Sequence, residues 1–381
     1  MKRSLLVIII AVFALKLIYF LFALSVSEFG HEYQIEGNKD DFFSLFKRND
    51  SYWYQKAAEQ GYPEITNPLD LGYSSGKYFK QSVWAHFPFY PLSVRYTEKI
   101  LNLDFNYSAF ILSILFAFTA FTGFYLLCTN VFKINEKDSL LYTLFFISFP
   151  FHYYYSMYYT EAMFFTFLAF SFISISCKKY WLTSVLILPL TLLRPNGIIC
   201  LIPLIIYFIE EEGGFRQIYN YLKSYDLKKI RGLLFFLSAP LALGIYCIYQ
   251  KHMTGYYFAF IKAQSGWYKE FMFPLLALFR RSDISTQFNS VYTIVFMLIC
   301  IIAWKKLPLS MNVLIWINIL LPMTSGSVAC MPRYLSVVFP VTVLFGSYFN
   351  KYKWRYLFLI TLFCLQLVTF YPWLISHPFS F

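Results

Sequence analysis

Charge is scarce in this chain of 381 residues: 14% of the side chains are charged, against 59% hydrophobic. Soluble domains carry roughly a quarter charged and half apolar residues. A fold so short of polar groups cannot coat the apolar surface it leaves outside. Clustered cysteines are missing too. The seven, at positions 128, 177, 200, 247, 300, 330 and 364, form no CxxC pair and no metal-ligand spacing, so a disulfide framework and a zinc ribbon are not indicated. They read as packing residues. Nor is there a Walker-type phosphate loop, a GxGxxG, an HExxH or a DxD sequence. No nucleotide, zinc or metal-held nucleotide sugar has a visible site, and neither a cofactor nor a bound metal is expected.

What the chain has instead is apolar runs, recurring from Leu5 to Ile375 with short polar gaps. Runs at 4–25, 106–128, 139–157, 161–176, 182–193, 198–209, 233–250, 286–303, 309–325, 335–349 and 356–374 predict about eleven crossings of a membrane. The fold class expected is therefore all-α, a polytopic transmembrane helical bundle forming one domain over 1–381. The first run follows Met1-Lys2-Arg3 but lacks a clear cleavage site, so it is expected to stay as the first helix. The aromatic run Phe149 to Tyr159 is a candidate interfacial belt.

The formal charge of +12 raises nucleic acid as a partner, and its placement answers the question. If the chain breaks at Arg194-Pro195-Asn196-Gly197, the segments on the Met1 side carry a net +10 and those on the other side +1, with Lys16 inside the first span. That is the asymmetry of a membrane protein with its basic loops in the cytoplasm. No nucleic-acid partner is needed, and membrane lipids are the expected surroundings. The long segments, 26–105 and 251–285, then lie outside the cytoplasm, rich in aromatics, and mark that side as the working face.

Candidate residues concentrate there. Asn49-Asp50-Ser51 opens a short helical stretch that stops at Gly61-Tyr62-Pro63, so Asp50 is either an ordinary helix cap or a general base at the membrane surface. His86, in the aromatic-proline run Trp84 to Leu92, is either structural or an anion donor. Glu161 stands where a span begins, suited to the positive end of the helix or to a sugar hydroxyl. Arg194 and Arg333 sit at the ends of other spans; each alone reads as snorkelling, and together they suit a phosphate, which guanidinium binds bidentately.

Taken in order, Asp50-Ser51 with Gly61-Tyr62, Phe87 to Leu92, Tyr159-Thr160-Glu161, Arg194-Pro195-Asn196-Gly197, Thr254-Gly255 with Phe260, Gln264 and Trp267, and Met331-Pro332-Arg333-Tyr334 with Pro340 resemble the PIG-V family of mannosyltransferases. That family belongs to the multi-spanning GT-C class, and the resemblance runs nearly end to end. Asn49 and His86 depart from its pattern, which has Trp and an aromatic there. The resemblance implies an inverting transfer of mannose from a polyprenyl- or dolichyl-phosphate donor, with Asp50 as base and short amphipathic helices in the first long loop. It also implies a glycan or glycolipid as acceptor.

On this reading Arg194, Arg333 and His86 would hold the donor phosphate, and Glu161, Asn196, Gln264, Trp267 and Tyr334 would touch the sugars. A bacterial relative in the inner or plasma membrane, with its site facing the extracytoplasmic side, is expected; a eukaryotic one would occupy the endoplasmic reticulum. Two rivals stand: a lipid or solute transporter of flippase type, for which Lys16 is the main intramembrane charge, and a noncatalytic scaffold in a glycan-assembly complex.

Overall fold

The computed structural model of the protein describes residues 2–29, 42–75, 78–223, 232, 236–280 and 283–375. Part of the first long loop, the start of the expected span at 233–250, and the basic residues Lys228, Lys229 and Arg231 fall outside that set. The described residues are mostly helical, with one short two-stranded hairpin. A helix occupies at least part of each of the eleven apolar runs, and among the described residues four helices have the length and hydropathy to cross a membrane: Lys2–Val26, Phe105–Val131, Ile284–Lys306 and Arg355–Leu374. The apolar helices Glu161–Ser176, Tyr180–Leu193, Leu309–Met323 and Phe339–Phe349 are shorter.

Helix α1 (Lys2–Phe29) shows why this is a membrane fold. Ile8, Val12, Leu15, Tyr19 and Ala23, three or four residues apart, form its buried stripe. Leu6, Ile10, Phe13 and Leu17 on the other faces are each more than half exposed. Apolar side chains on every face leave lipid as the only medium that suits the outward ones. Helix α6 (Glu161–Ser176) is the opposite case, buried along nearly its whole length. It packs against α4 (Phe105–Leu126), α7 (Tyr180–Leu193) and α9 (Leu201–Glu211) at the centre of the molecule.

Two breaks set the site. The run expected as one span at 139–157 is instead helix α5 (Glu136–Ser148) followed by a 3-10 turn, His152–Ser156. Pro150 has no N–H to continue the helix and drives Phe149 into extended backbone, φ −65° and ψ 140°. The tyrosines after the break do not form an interfacial belt. Tyr153, Tyr154, Tyr155, Tyr158 and Tyr159 are at most 2% exposed, because the segment turns into the molecule rather than towards lipid.

The second break, at Arg194, separates α7 from the short α8 (Pro195–Ile199), with Pro195 in its first turn. Here the chain folds back so closely that a Cβ at Gly197 would stand 2.0 Å from the Leu190 carbonyl oxygen. Only glycine fits that approach.

The two long loops cover one end of the helices together. The first supplies α2 (Asp50–Gln60), a two-stranded hairpin (Tyr73–Ser75 with Tyr78–Lys80) and α3 (Phe89–Leu101). The second supplies the short helix Ala259–Ala263 and the turn Gln264–Trp267. They are joined by Ser265 Oγ donating to the Gly72 carbonyl at 2.8 Å, and by Gln264 Nε2 donating to the Ala85 carbonyl at 3.2 Å. Lys16, deep in α1, donates to Ser113 Oγ at 2.7 Å and to the Ser156 carbonyl, under the rings of Phe46 and Phe110.

Candidate active site

The loop carrying Asp50 is stitched to the segment that leads into Glu161. Tyr158 N–H donates to the Phe46 carbonyl at 3.1 Å, Tyr158 Oη to the Phe43 carbonyl at 2.7 Å, Tyr159 Oη to the Arg48 carbonyl at 2.8 Å, and Ser51 Oγ to the Tyr158 carbonyl at 3.1 Å. These four bonds close long sequence gaps and so fix where α2 begins. Asp50 is its first residue. The cap position belongs to Asn49, at φ 46° and without a side-chain bond to the helix, so capping does not explain the Asp50 carboxylate.

That carboxylate turns towards Arg333. Arg333 Nη1 donates to Asp50 Oδ2 at 2.7 Å, and Arg333 Nε lies 3.3 Å from Glu161 Oε1. The same Glu161 oxygen pairs with Arg194 Nη2, and Arg194 Nε donates to Thr160 Oγ1 at 2.5 Å. Four charges of alternating sign therefore run Asp50, Arg333, Glu161, Arg194. Glu161 is wholly buried and the two arginine side chains are 7% and 9% exposed, whereas Asp50 is 25% exposed. Asp50 is the open end of the row.

Burial alone would raise the Asp50 carboxyl, but the Arg333 guanidinium, helped by His86, outweighs it and holds the group well below the usual carboxylate range. Arg333 stands on a five-residue helix, Met331–Leu335, entered from Cys330 at φ 63°. Its guanidinium carbon is 5.2 Å from the Tyr159 ring, 5.3 Å from Tyr334 and 5.8 Å from Tyr154. Beyond it, Ser336 is bound through its carbonyl to Tyr155 Oη at 3.2 Å.

His86 lies on the other side of Asp50, its Nε2 3.9 Å from Asp50 Oδ1, and the structure shows no contact with either clustered arginine. It sits among rings: stacked on Trp53 at 5.9 Å and 10°, and edge-on to Tyr54 at 5.3 Å and Trp267 at 5.6 Å. Its backbone carbonyl accepts from Tyr62 Oη at 2.9 Å.

The remaining expected residues divide. Trp267 belongs to this ring cluster, touching Trp53 edge-on at 5.5 Å, and Tyr334 lies against Arg333. Gln264 is engaged with the Ala85 carbonyl, and the Asn196 amide donates to Asn318 Oδ1 at 3.0 Å. Neither makes a contact with the charged row. Glu161, expected at a sugar hydroxyl, stands between Arg194 and Arg333.

Sequence reading gave no role to Trp53, Tyr54 or Thr160, the last standing in the Tyr159-Thr160-Glu161 run. A signal existed for the first two, since residues three and four positions after Asp50 share its helix face. Thr160 holds Arg194 and precedes Glu161 directly.

Among the described residues no three His, Cys, Asp or Glu side chains gather as metal ligands. What the arrangement can do is present one partly open carboxylate and two buried guanidiniums to a small polar ligand, beside a wall of aromatic faces. No protein-family model matches the chain, and no curated protein matches it.

Proposed function

We propose that the chain is an inverting glycosyltransferase of the membrane that takes its sugar, mannose on the PIG-V resemblance, from a polyprenyl-phosphate donor and passes it to a hydroxyl of a glycan or glycolipid on the extracytoplasmic face. The observation that carries this reading is the row Asp50, Arg333, Glu161, Arg194, in which a partly open base and two anion-binding groups share one site.

The chemistry follows from the donor's leaving group. A sugar held through phosphate departs without being protonated, so the general acid of a glycosidase is unnecessary and one base suffices. The acceptor oxygen attacks the anomeric carbon and gives its proton to Asp50. The bond from that carbon to the phosphate oxygen breaks, its electron pair stays on the phosphate, and the configuration inverts. Arg194 and Arg333 offset the charge that accumulates there. Trp53 and Trp267 offer flat apolar faces of the kind against which sugar rings pack.

The test is turnover of polyprenyl-phosphate mannose by the purified protein in nanodiscs with glycolipid acceptors. Asp50→Asn is expected to lower kcat by about 10²-fold or more, with the product's linkage inverted relative to the donor. Undiminished turnover in a folded Asp50→Asn protein overturns the assignment of the base. Movement of lipid across the nanodisc counterpart, a proteoliposome, with no glycosidic product would favour the transporter reading.

A further inference from the structure

Arg333 faces a conflict that the proposed reaction creates. Its Nη1 is bonded to the carboxylate that must take a proton, while the same guanidinium is wanted by the phosphate that gains charge. Asp50 cannot serve well as a base while it is so paired, because a guanidinium at hydrogen-bond distance lowers the proton affinity of a carboxylate.

The geometry shows how both demands are met. Arg333 Nε lies 3.3 Å from Glu161 Oε1, an ion pair without hydrogen-bond geometry, and Glu161 is wholly buried and paired with Arg194 as well. The second ion pair of Arg333, Nη1 to Asp50, lies at the exposed end of the row. One arm is tethered and the other is exchangeable.

We infer that Arg333 is the positioning residue that arms the base: the donor phosphate takes its Nη1 arm from Asp50, so that Asp50 becomes a competent base only after the donor is seated. This rests on the transferase reading above. The charge balance supports it. During transfer one negative charge leaves Asp50, as its proton arrives, and one appears on the departing phosphate. A guanidinium reaching both places follows that charge from its origin to its destination. Other groups near enough to act on the Asp50 charge include His86, Tyr54, Tyr159 and Cys330, and His86 Nε2 stands 3.9 Å from the second carboxylate oxygen. Binding of the donor before the acceptor follows.

The inference makes an uncommon prediction: removing the base should improve binding of the product. Polyprenyl monophosphate, titrated into the full-length protein in nanodiscs, competes with Asp50 for Arg333, so Asp50→Asn is expected to bind it about tenfold more tightly than the wild type. That gain should vanish when Asp50→Asn is compared with its parent in an Arg333→Gln background. A gain that persists there reflects mere charge repulsion and overturns the inference, as does no gain at all.

A second measurement avoids the arginine variant, should it fail to fold. Infrared difference spectra on adding polyprenyl monophosphate should contain a shifted carboxylate stretch that is missing in Asp50→Asn. Absence of that band overturns the exchange. If the wild type binds no polyprenyl monophosphate, the transferase reading falls with it; if it binds but neither signature appears, only the exchange falls.

Discussion

Lys16 and Arg333 are both basic, both more than nine-tenths buried, and both held by residues far away in sequence, yet their surroundings differ in kind. Lys16 is held by a serine hydroxyl, a backbone carbonyl and two phenylalanine rings. No carboxylate is among the partners the structure gives it. Arg333 is held by two carboxylates, one wholly buried and one partly open. Neutral partners spread over a backbone carbonyl and ring faces make a fixed anchor for α1 against α4. Ionised partners, one of which can be replaced by another anion, make a site. Burial of charge alone therefore does not identify function; the exchangeability of the partners does.

Three experiments would break or sharpen that contrast. The largest effect is expected from Glu161→Gln, which leaves two buried guanidiniums facing each other without their shared anion. A loss of about 3–5 kcal/mol is the usual result of removing one member of a buried ion pair. Denaturant or thermal unfolding in detergent reads it, and a change under about 1 kcal/mol would mean that Glu161 is not what binds the arginines together.

An intermediate effect concerns pH. The folded Asp50 carboxyl titrates below its unfolded value, so its stabilising share is present above about pH 4, the unfolded range, and fades as the pH falls towards the depressed folded value. The stability gap between wild type and Asp50→Asn should accordingly narrow between pH 7 and pH 3, read by paired melting curves. A gap that is flat over that window would deny that Arg333 holds Asp50 ionised. The smallest effect is expected from Lys16→Met. Among the described residues Lys16 has no ion-pair partner, so its exchange for an apolar side chain of similar length trades two hydrogen bonds for packing; stability should fall by about 1–3 kcal/mol at most, and turnover should stay within about twofold.

Much of the helical outline is legible in the sequence, because apolar runs report burial in lipid or protein directly. Lengths are less so. The run through Phe149 and Pro150 is apolar on both sides of a backbone break, and hydropathy does not register the missing N–H that ends α5. For the same reason the tyrosines from 153 to 159 look interfacial in sequence and are interior in space. The charged residues of the site can be picked out because charge is scarce in the chain as a whole, but their pairing cannot. Asp50 and Arg333 are 283 positions apart, and no local pattern says that Glu161 would reach an arginine rather than a sugar. The surroundings of His86 are hidden for a related reason. Its neighbours Trp53, Tyr54 and Trp267 come from two loops, so only the folded chain reveals an aromatic enclosure beside the carboxylate.

The alternation of sign along Asp50, Arg333, Glu161 and Arg194 bears on selectivity. A pair of bare guanidiniums opening at a bilayer surface would attract any phospholipid headgroup nearby, and such headgroups are abundant in every membrane. In this row each arginine already has an acidic neighbour, so the idle site is close to neutral and offers little to a casual visitor. On the proposed function, occupancy falls to a molecule able to displace a carboxylate and to gain from the surrounding rings as well, as a sugar-bearing phosphate would and the ordinary lipids around it would not.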